Sequence, residues 1–330
     1  MSTEESVVSF GPDQTLIGIV TTPPADAPHA GIGCLLLNTG VNHRIGPRRI
    51  NVKAARKLAA SGVPSLRFDM TGIGDSKASS GREDYRQQQL SDMRAALDQF
   101  QASTGLSRFV VFGVCTGAAN ALTLALADAR VVGVLMFDGH IFPDKLMRLE
   151  RKLRRWLAFP FNRSLRGTYG PWRDFTGWLR APLDAAARAR LAARLRGQAG
   201  VSDAEGTDIF AEGARHYGPD DFAGDLQTLL DRGVDIYVMH SAMLNVVDRN
   251  RNLLAQLRGH PALERIRYRF WPDVDHTLTL VDAQHRLLQA LDQWAGEVAT
   301  AQRTGPAGAT RGRTGLPPRA PSSKPGTVGV

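Results

Sequence analysis

The residues best suited to chemistry lie in Phe109-Val110-Val111-Phe112-Gly113-Val114-Cys115-Thr116-Gly117-Ala118-Ala119-Asn120. Four apolar residues with β preference run into Gly-x-Cys-x-Gly, and an alanine-rich stretch, Ala118 to Ala129, follows at once. The pattern predicts strand, sharp turn, helix. Such a turn holds its central side chain at the strand tip in a strained backbone conformation, and a Cβ on either flanking residue would strike the neighbouring strand or helix. The helix aims its N-terminus at the same spot, which favours a thiolate and a developing oxyanion. The chemistry this suits is attack of Cys115 on a carbonyl carbon; the competing reading is a buried cysteine acting as a small, inert hydrophobe. A thiol is mostly protonated at neutral pH and needs a base, and the base needs a carboxylate on its second ring nitrogen. His276, between the last strand and the last helix, is the candidate base. Asp138 is the candidate acid. It ends the strand Val131 to Phe137, directly after the helix that follows Cys115, and parallel strands bring their C-terminal ends to one edge of a sheet. Asp248 is the alternative acid, but Arg249, Asn250 and Arg251 follow it, and it reads as a helix-start carboxylate.

The elements that must position these residues alternate. Residues 5 to 10 and 15 to 21 read as two strands around Gly11-Pro12-Asp13, and Ile32 to Leu37 reads as a short strand apolar on both faces. An amphipathic helix over 49 to 61 and a strand from Ser65 to Asp69 follow. Next come a helix over Glu83 to Ser103, with Leu90, Met93, Leu97 and Phe100 on one face, and then the strand and helix around Cys115. After Val131 to Phe137 the alternation stops, and it resumes at Val234 to His240. A helix over Arg249 to Leu257, a strand over Arg265 to Trp271 and a closing helix over Asp282 to Val298 complete it. The order implies an α/β fold with a mostly parallel sheet and helices on both faces.

The net charge of +9 is unevenly placed. Between Asp144 and Arg196 there are 14 Lys/Arg against 4 Asp/Glu, and residues 301 to 330 hold 5 Lys/Arg and no acid. The remainder is mildly acidic, unlike a protein whose main surface grips nucleic acid, so no nucleic-acid partner is expected. Two cysteines, Cys34 and Cys115, give no disulfide framework. With no secretory signal and no apolar run of membrane-spanning length, the reading is a cytoplasmic protein with no transmembrane segment. From 301 on, Gly, Pro, Thr, Ser and Arg without periodicity read as a disordered basic tail.

The Gly-x-Cys-x-Gly turn resembles the nucleophile elbow of the α/β-hydrolase superfamily, with cysteine in the serine position. A second match is Asp69-Met70-Thr71-Gly72-Ile73-Gly74-Asp75-Ser76, which is similar to that family's Asp-x-x-Gly-x-Gly-x-Ser loop and takes a structural role. The resemblance spans roughly residues 15 to 297. It places the catalytic histidine at His276, and it makes the loop Asn38-Thr39-Gly40-Val41-Asn42-His43-Arg44 a source of one oxyanion-hole N–H. The backbone of Thr39, paired with that of Thr116, is the expected hole. Most members carry the acid after the strand that here leads into His240-Ser241-Ala242-Met243-Leu244-Asn245, where no carboxylate stands. A minority, including thioesterase domains of assembly lines, carry it where Asp138 stands. A Cys-His-Asp set on this fold is similar to that of dienelactone hydrolase. The wording of the two loops resembles α/β-hydrolases associated with exosortase and polysaccharide clusters.

The resemblance divides the chain into a core of residues 1–140 and 223–300, a helical cap over 141–222 and the tail over 301–330. In the cap, Leu146, Leu149, Leu153, Trp156 and Leu157 share a stripe amid arginines, and Trp172, Phe175, Trp178 and Leu179 follow. It reads as a solvated lid, or as a basic, aromatic-lined mouth for an anionic acyl carrier, nucleotide handle or membrane surface. The implied function is an acyl-transfer hydrolase, a thioesterase or esterase, whose acyl substrate rides on CoA or an acyl carrier protein. An acyltransferase with an alcohol or amine acceptor and a non-catalytic binding protein on the same scaffold are the alternatives. No cofactor is implied. His43, His140, His240 and His276 show no metal-ligand spacing, and the glycines at 72 and 74 lack the rest of a dinucleotide fingerprint.

Overall fold

The structure is a computed structural model that describes residues 3–78, 84–142, 217–242 and 254–304. The chain divides into two compact units, Met1–Pro143 with Gly218–Val330, and Asp144–Tyr217. The described residues, Tyr217 apart, belong to the first. Most of the expected cap, the alternative acid Asp248 and residues 305–330 of the expected tail lie outside the described residues.

Strands β1 (Glu4–Phe10), β2 (Leu16–Thr22), β3 (Gly33–Leu36), β4 (Ser65–Phe68), β5 (Phe109–Val114), β6 (Val131–Phe137), β7 (Asp235–Ser241) and β8 (Arg267–Trp271) form one sheet in the order β1-β2-β4-β3-β5-β6-β7-β8. β1 pairs with β2 and β2 with β4 in antiparallel fashion, and every other pair is parallel. The helices are α1 (Ile50–Ala60), α2 (Tyr85–Thr104), α3 (Thr116–Ala127), α4 (Pro219–Asp231), α5 (Pro261–Arg265) and α6 (Val281–Thr304). The architecture is the α/β-hydrolase fold.

The continuous apolar runs are explained by two cores, one on each face. Along β5, Phe109 and Val111 face one cluster while Val110, Phe112 and Val114 face the other, and along β3 Leu35 and Leu37 alternate with Cys34 and Leu36. Side chains alternate across a strand, so a sheet covered on both sides has no polar face to show. α2, α3 and α4 cover the first face with Met93, Leu97, Phe100, Leu122, Phe222 and Leu226. α1 and α6 cover the second with Ile50, Leu58, Leu287, Leu291, Trp294 and Val298. Phe142 and Phe222, both inside the stretch assigned to the cap, pack in the first core.

The ends have local causes. Asp84 caps α2 by accepting the Arg86 N–H at 3.0 Å, and Gly105 stops it in the left-handed region with φ 70°. α1 gives way to Gly62, at φ +83°, where a Cβ would lie 1.7 Å from the Pro28 carbonyl oxygen. Two expectations shift. The last helix runs to Thr304, so 301–304 belong to it and not to the tail; its apolar face continues through Val298 and Ala299, and Arg108 Nη1 bonds the Gln302 carbonyl at 2.9 Å. The segment before β8 is a short helix at Pro261–Arg265, capped by His260 Nδ1, which accepts the Ala262 N–H at 3.2 Å, and the strand starts at Arg267. Among the described residues no helix is long and apolar enough to cross a membrane.

Trp294 joins α6 to the sheet. It is fully buried, its ring would be met by a Cβ on Gly133, and its Nε1–H donates to Asp235 Oδ1 at 2.8 Å. Trp294→Ala should cost about 3–5 kcal/mol of stability, the range for emptying a large aromatic site, measured as a fall in urea midpoint. A change below about 1 kcal/mol would show that α6 does not clamp the second core.

Candidate active site

Cys115 sits between β5 and α3 with φ 59° and ψ −119°, a conformation L-residues avoid. Its N–H donates to the Phe137 carbonyl at 2.9 Å, so the turn hangs on the end of β6. The two glycines around it are needed for space. A Cβ on Gly113 would come within 2.0 Å of the Gly117 carbonyl oxygen, and one on Gly117 within 2.5 Å of the Asn38 carbonyl oxygen. The first approach closes the turn, and the second seats the loop after β3 against the start of α3.

That loop holds Thr39. Gly40 N–H donates to Thr116 Oγ1 at 2.6 Å, which ties the loop to the residue after the cysteine and brings Thr39 and Thr116 to one place. Thr39 is itself buried, and its hydroxyl has no hydrogen-bond partner among the described residues. The loop closes on itself through Asn42 N–H to the Thr39 carbonyl at 3.0 Å, Asn42 Nδ2 to the same oxygen at 2.7 Å, and Asn38 Nδ2 to the Asn42 carbonyl at 2.9 Å.

Asp138 follows β6 with φ 50°, its N–H donating to the Met239 carbonyl at 2.9 Å. Its side chain is wholly buried. His276 Nδ1 lies 3.0 Å from Asp138 Oδ2. Because a carboxylate only accepts, His276 carries its proton on Nδ1, and Nε2 is the atom left for Cys115. His240, also buried, holds the next turn: Nε2 donates to the His140 carbonyl at 3.0 Å and Nδ1 accepts from Tyr268 Oη at 3.3 Å. Burial holds His240 below its ordinary pKa, so it stays neutral beside Asp138.

The loop carrying His276 is fixed at several points. Ala242 N–H bonds the Val274 carbonyl at 3.0 Å, and Asp275 accepts from the Thr277 N–H at 3.1 Å and the Thr279 N–H at 2.9 Å. Leu278 is buried in the left-handed region at φ 54°, with its carbonyl accepting from Gln284 Nε2 at 2.8 Å. Asp273 pairs with Arg286, which lies over the Trp271 ring. Asp273 and Asp275 are therefore engaged elsewhere, and among the described residues the carboxylate partner of His276 is Asp138.

The electrostatics follow from these contacts. Asp138 first, and then the hydrogen bond to Cys115, raise His276 to about 10. The hydrogen bond to His276 is the main cause that lowers the Cys115 thiol below its ordinary value, with the Thr116 N–H adding to it. The two shifts are coupled, because each charged form, imidazolium and thiolate, favours the other. Cys34 is the opposite case. It is fully buried in β3, and desolvation alone drives its pKa far upward.

Sequence reasoning brought Cys115, His276, Asp138, Thr39 and Thr116 forward as separate candidates, and the fold sets all of them at the C-terminal ends of β3, β5, β6 and β8. It missed two supports. Ser241, the last residue of β7, donates its N–H to Asp138 Oδ1 at 2.6 Å and its hydroxyl to Asp138 Oδ2. Asp69, assigned no more than a turn, is a buried hub: its carboxylate accepts from the Arg44 N–H and guanidinium, from Asp75 N–H at 3.2 Å and from Asn38 Nδ2 at 3.4 Å. His43, Asp69 and Asp75 also bring possible metal-ligand atoms within 4.8 Å of one another, but Arg44 stands among them, 2.8 Å from Asp75 and 2.9 Å from His43 Nε2. The signal for this hub was the cation of Arg44 in one loop and the carboxylate ending a buried strand in the next.

No family model matches the sequence, and no curated protein matches it. Solved structures do. One is a serine α/β-hydrolase without a lid from Xanthomonas campestris, at 14% identity over 93% of this chain and 98% of that one, with a TM-score of 0.47. A proline iminopeptidase from Mycobacterium smegmatis is 15% identical over 91% of this chain and 100% of that one, with a TM-score of 0.49. A thermophilic esterase from Thermogutta terrifontis is 17% identical over 91% and 100%, with a TM-score of 0.48.

The two cysteines should differ in reactivity. At pH 6–7 in the folded protein, iodoacetamide should modify Cys115 and spare Cys34, read by peptide mass spectrometry. Modification of Cys34 with Cys115 untouched would contradict the electrostatics above.

Proposed function

We propose that the protein is an acyl-transfer hydrolase working through an acyl-cysteine. The observation that carries this reading is the line from Cys115 through His276 to Asp138, with the 3.0 Å contact between His276 Nδ1 and Asp138 Oδ2 fixing the imidazole. The Cys115 thiolate attacks the substrate carbonyl, and the C=O π pair moves to oxygen. The N–H groups of Thr39 and Thr116 hold that oxyanion. As it collapses, the bond to the leaving group breaks, and the His276 proton passes to the leaving group or, where a thiolate departs unaided, to solvent, so that His276 is left neutral. Water then attacks the thioester, with His276 taking its proton, and the acid departs as the thiol of Cys115 is re-formed and returns its proton to His276. Asp138 takes no proton; it sets the tautomer and stabilises the imidazolium.

An acyl-cysteine is itself a thioester, so exchange with an acyl thioester is nearly balanced, whereas an amide lies far lower in energy. The substrate class proposed is therefore acyl thioesters, on CoA or a carrier protein, or activated esters. An alcohol or amine could replace water in the second step, and product analysis with and without such acceptors separates the two outcomes.

The pH dependence follows from the paired shifts. Cys115 is lowered below 9.0 and His276 is raised to about 10. The ion pair is assembled between those limits. It is lost on the acid side as the thiolate takes a proton, and on the basic side as His276 loses one. The stabilisation from the raised His276 is fully present below its unfolded value of 6.5 and disappears as pH rises through about 10. Alkylation of Cys115 should therefore show an acid limb below pH 9, and His276→Gln should move that limb up toward the value of a free thiol. With an acyl thioester, Cys115→Ala should abolish turnover, and Asp138→Asn should lower it by about three orders of magnitude or more. An alkylation profile identical in wild type and His276→Gln would show that the pair does not form, leaving a binding protein on this scaffold.

A further inference from the structure

The end of β7 is the position at which the resemblance places the acid in most members, and here it carries Ser241. Its contacts are specific. The Ser241 N–H donates to Asp138 Oδ1 at 2.6 Å, and its hydroxyl donates to Asp138 Oδ2, the same oxygen that meets His276. Both residues are buried, and Asp138 is held at φ 50° beyond the last paired residues of β6 and β7, Phe137 and Met239. A carboxylate gripped at one oxygen swivels about that bond; one gripped at both has its plane fixed.

We propose that Ser241 is a positioning residue for the triad, a two-point clamp that fixes the plane of the Asp138 carboxylate so that Oδ2 faces His276. The proposal rests on the reading of Cys115, His276 and Asp138 as one catalytic unit. Its chemistry has two parts. The backbone N–H holds Oδ1 whatever the side chain, and the hydroxyl holds Oδ2 independently of the partner it serves, His276. The same hydroxyl also fills a lone pair that would otherwise be buried and empty, since a carboxylate offers about four acceptor positions. The other titratable group beside Asp138 is His240, and its ring is already committed to the His140 carbonyl and Tyr268 Oη. It cannot turn to replace the hydroxyl.

The test compares wild type, Ser241→Ala, Ser241→Cys and Ser241→Thr in the full chain. Two readouts are used: the pH profile of Cys115 alkylation by iodoacetamide, and turnover of a short acyl-CoA. Ser241→Thr keeps the donor and should keep the wild-type acid limb. Ser241→Ala leaves Oδ1 held by the backbone and Oδ2 held by His276 alone. Its acid limb should move up by about one pH unit, a roughly tenfold loss of alkylation rate at a pH below both limbs, with kcat falling more than KM rises. Ser241→Cys fills nearly the same volume with a weak donor and should follow Ser241→Ala, which answers the case in which the smaller residue fails to fold. A residue that merely packed would tolerate cysteine and would leave the limb in place. A wild-type limb in Ser241→Cys, or in a folded Ser241→Ala, overturns the proposal. His276→Gln run alongside keeps the two readings apart: an unmoved limb there refutes the triad itself, whereas a moved limb there with an unmoved one in the Ser241 variants refutes only the clamp.

Discussion

A buried carboxylate must have its acceptor positions filled, and that requirement organises the sheet edge that carries the candidate site. Asp69 and Asp138 follow two parallel strands, β4 and β6, with side chains wholly out of solvent. An unpartnered charge there would cost several kcal/mol. Each draws its partners from loops that follow other strands. Asp69 takes Arg44 and Asn38 from the loop after β3, and Asp138 takes Ser241 from β7 and His276 from beyond β8. The loops that carry Thr39 and His276 are thus tied to the sheet through acids that are not on them. Neither loop can relax without leaving a buried carboxylate unsatisfied, which is how a sheet edge made of loops becomes a rigid frame.

Backbone strain is placed on the same frame. Cys115, Asp138 and Leu278 all have positive φ without being glycine. Such residues cost of order 1–3 kcal/mol each and persist where the surroundings over-determine them. Here the surroundings are identifiable. Cys115 is pinned by its bond to Phe137 and by glycine approaches too close for any Cβ, Asp138 by Met239 and Ser241, and Leu278 by burial and Gln284. These three lie in the turns that bear the candidate nucleophile and acid and in the turn two residues past the candidate base, while Asp13, Gln14, Arg48 and Arg49 take positive φ in other turns.

The sequence made the strands and the elbow legible because their signals are local. Phe109 to Val114 is apolar on both faces, and Gly113 and Gly117 stand at the spacing of the turn. The candidate acid needed a topological step, from strand order to strand ends, and Asp138 could be named because β6 directly follows α3. Ser241 was beyond that reasoning. A serine ending a strand carries no pattern, and its value depends on β6 and β7 being neighbours with Phe137 opposite Met239. Asp69 was read too modestly for the same reason, since its partners lie 25 and 31 residues away in sequence. The short helix at Pro261–Arg265 was lost to a β-rich reading of the stretch that begins at Arg265, although Pro261 after His260 is a helix-start signal.

The strong hold on His276 also bears on which leaving group the proposed reaction can serve. A group with a pKa of about 10 is a weak general acid at neutral pH. In the proposed reaction amines and alcohols leave only with a proton, while a thiol with an ordinary pKa near 8.5 departs as a thiolate and needs little help. The causes of the shift then separate the two half-reactions. Asp138 contributes in both, but the contribution of Cys115 exists only while its sulfur is free. Acylation removes it, so His276 becomes easier to deprotonate when the next step requires it as a base toward water. A serine in the same position would not bring this change, because its resting hydroxyl is neutral and holds no proton on the histidine. In the proposed mechanism cysteine would thus give a single imidazole two proton affinities, one before acyl transfer and one after, with Asp138 keeping its orientation constant through both.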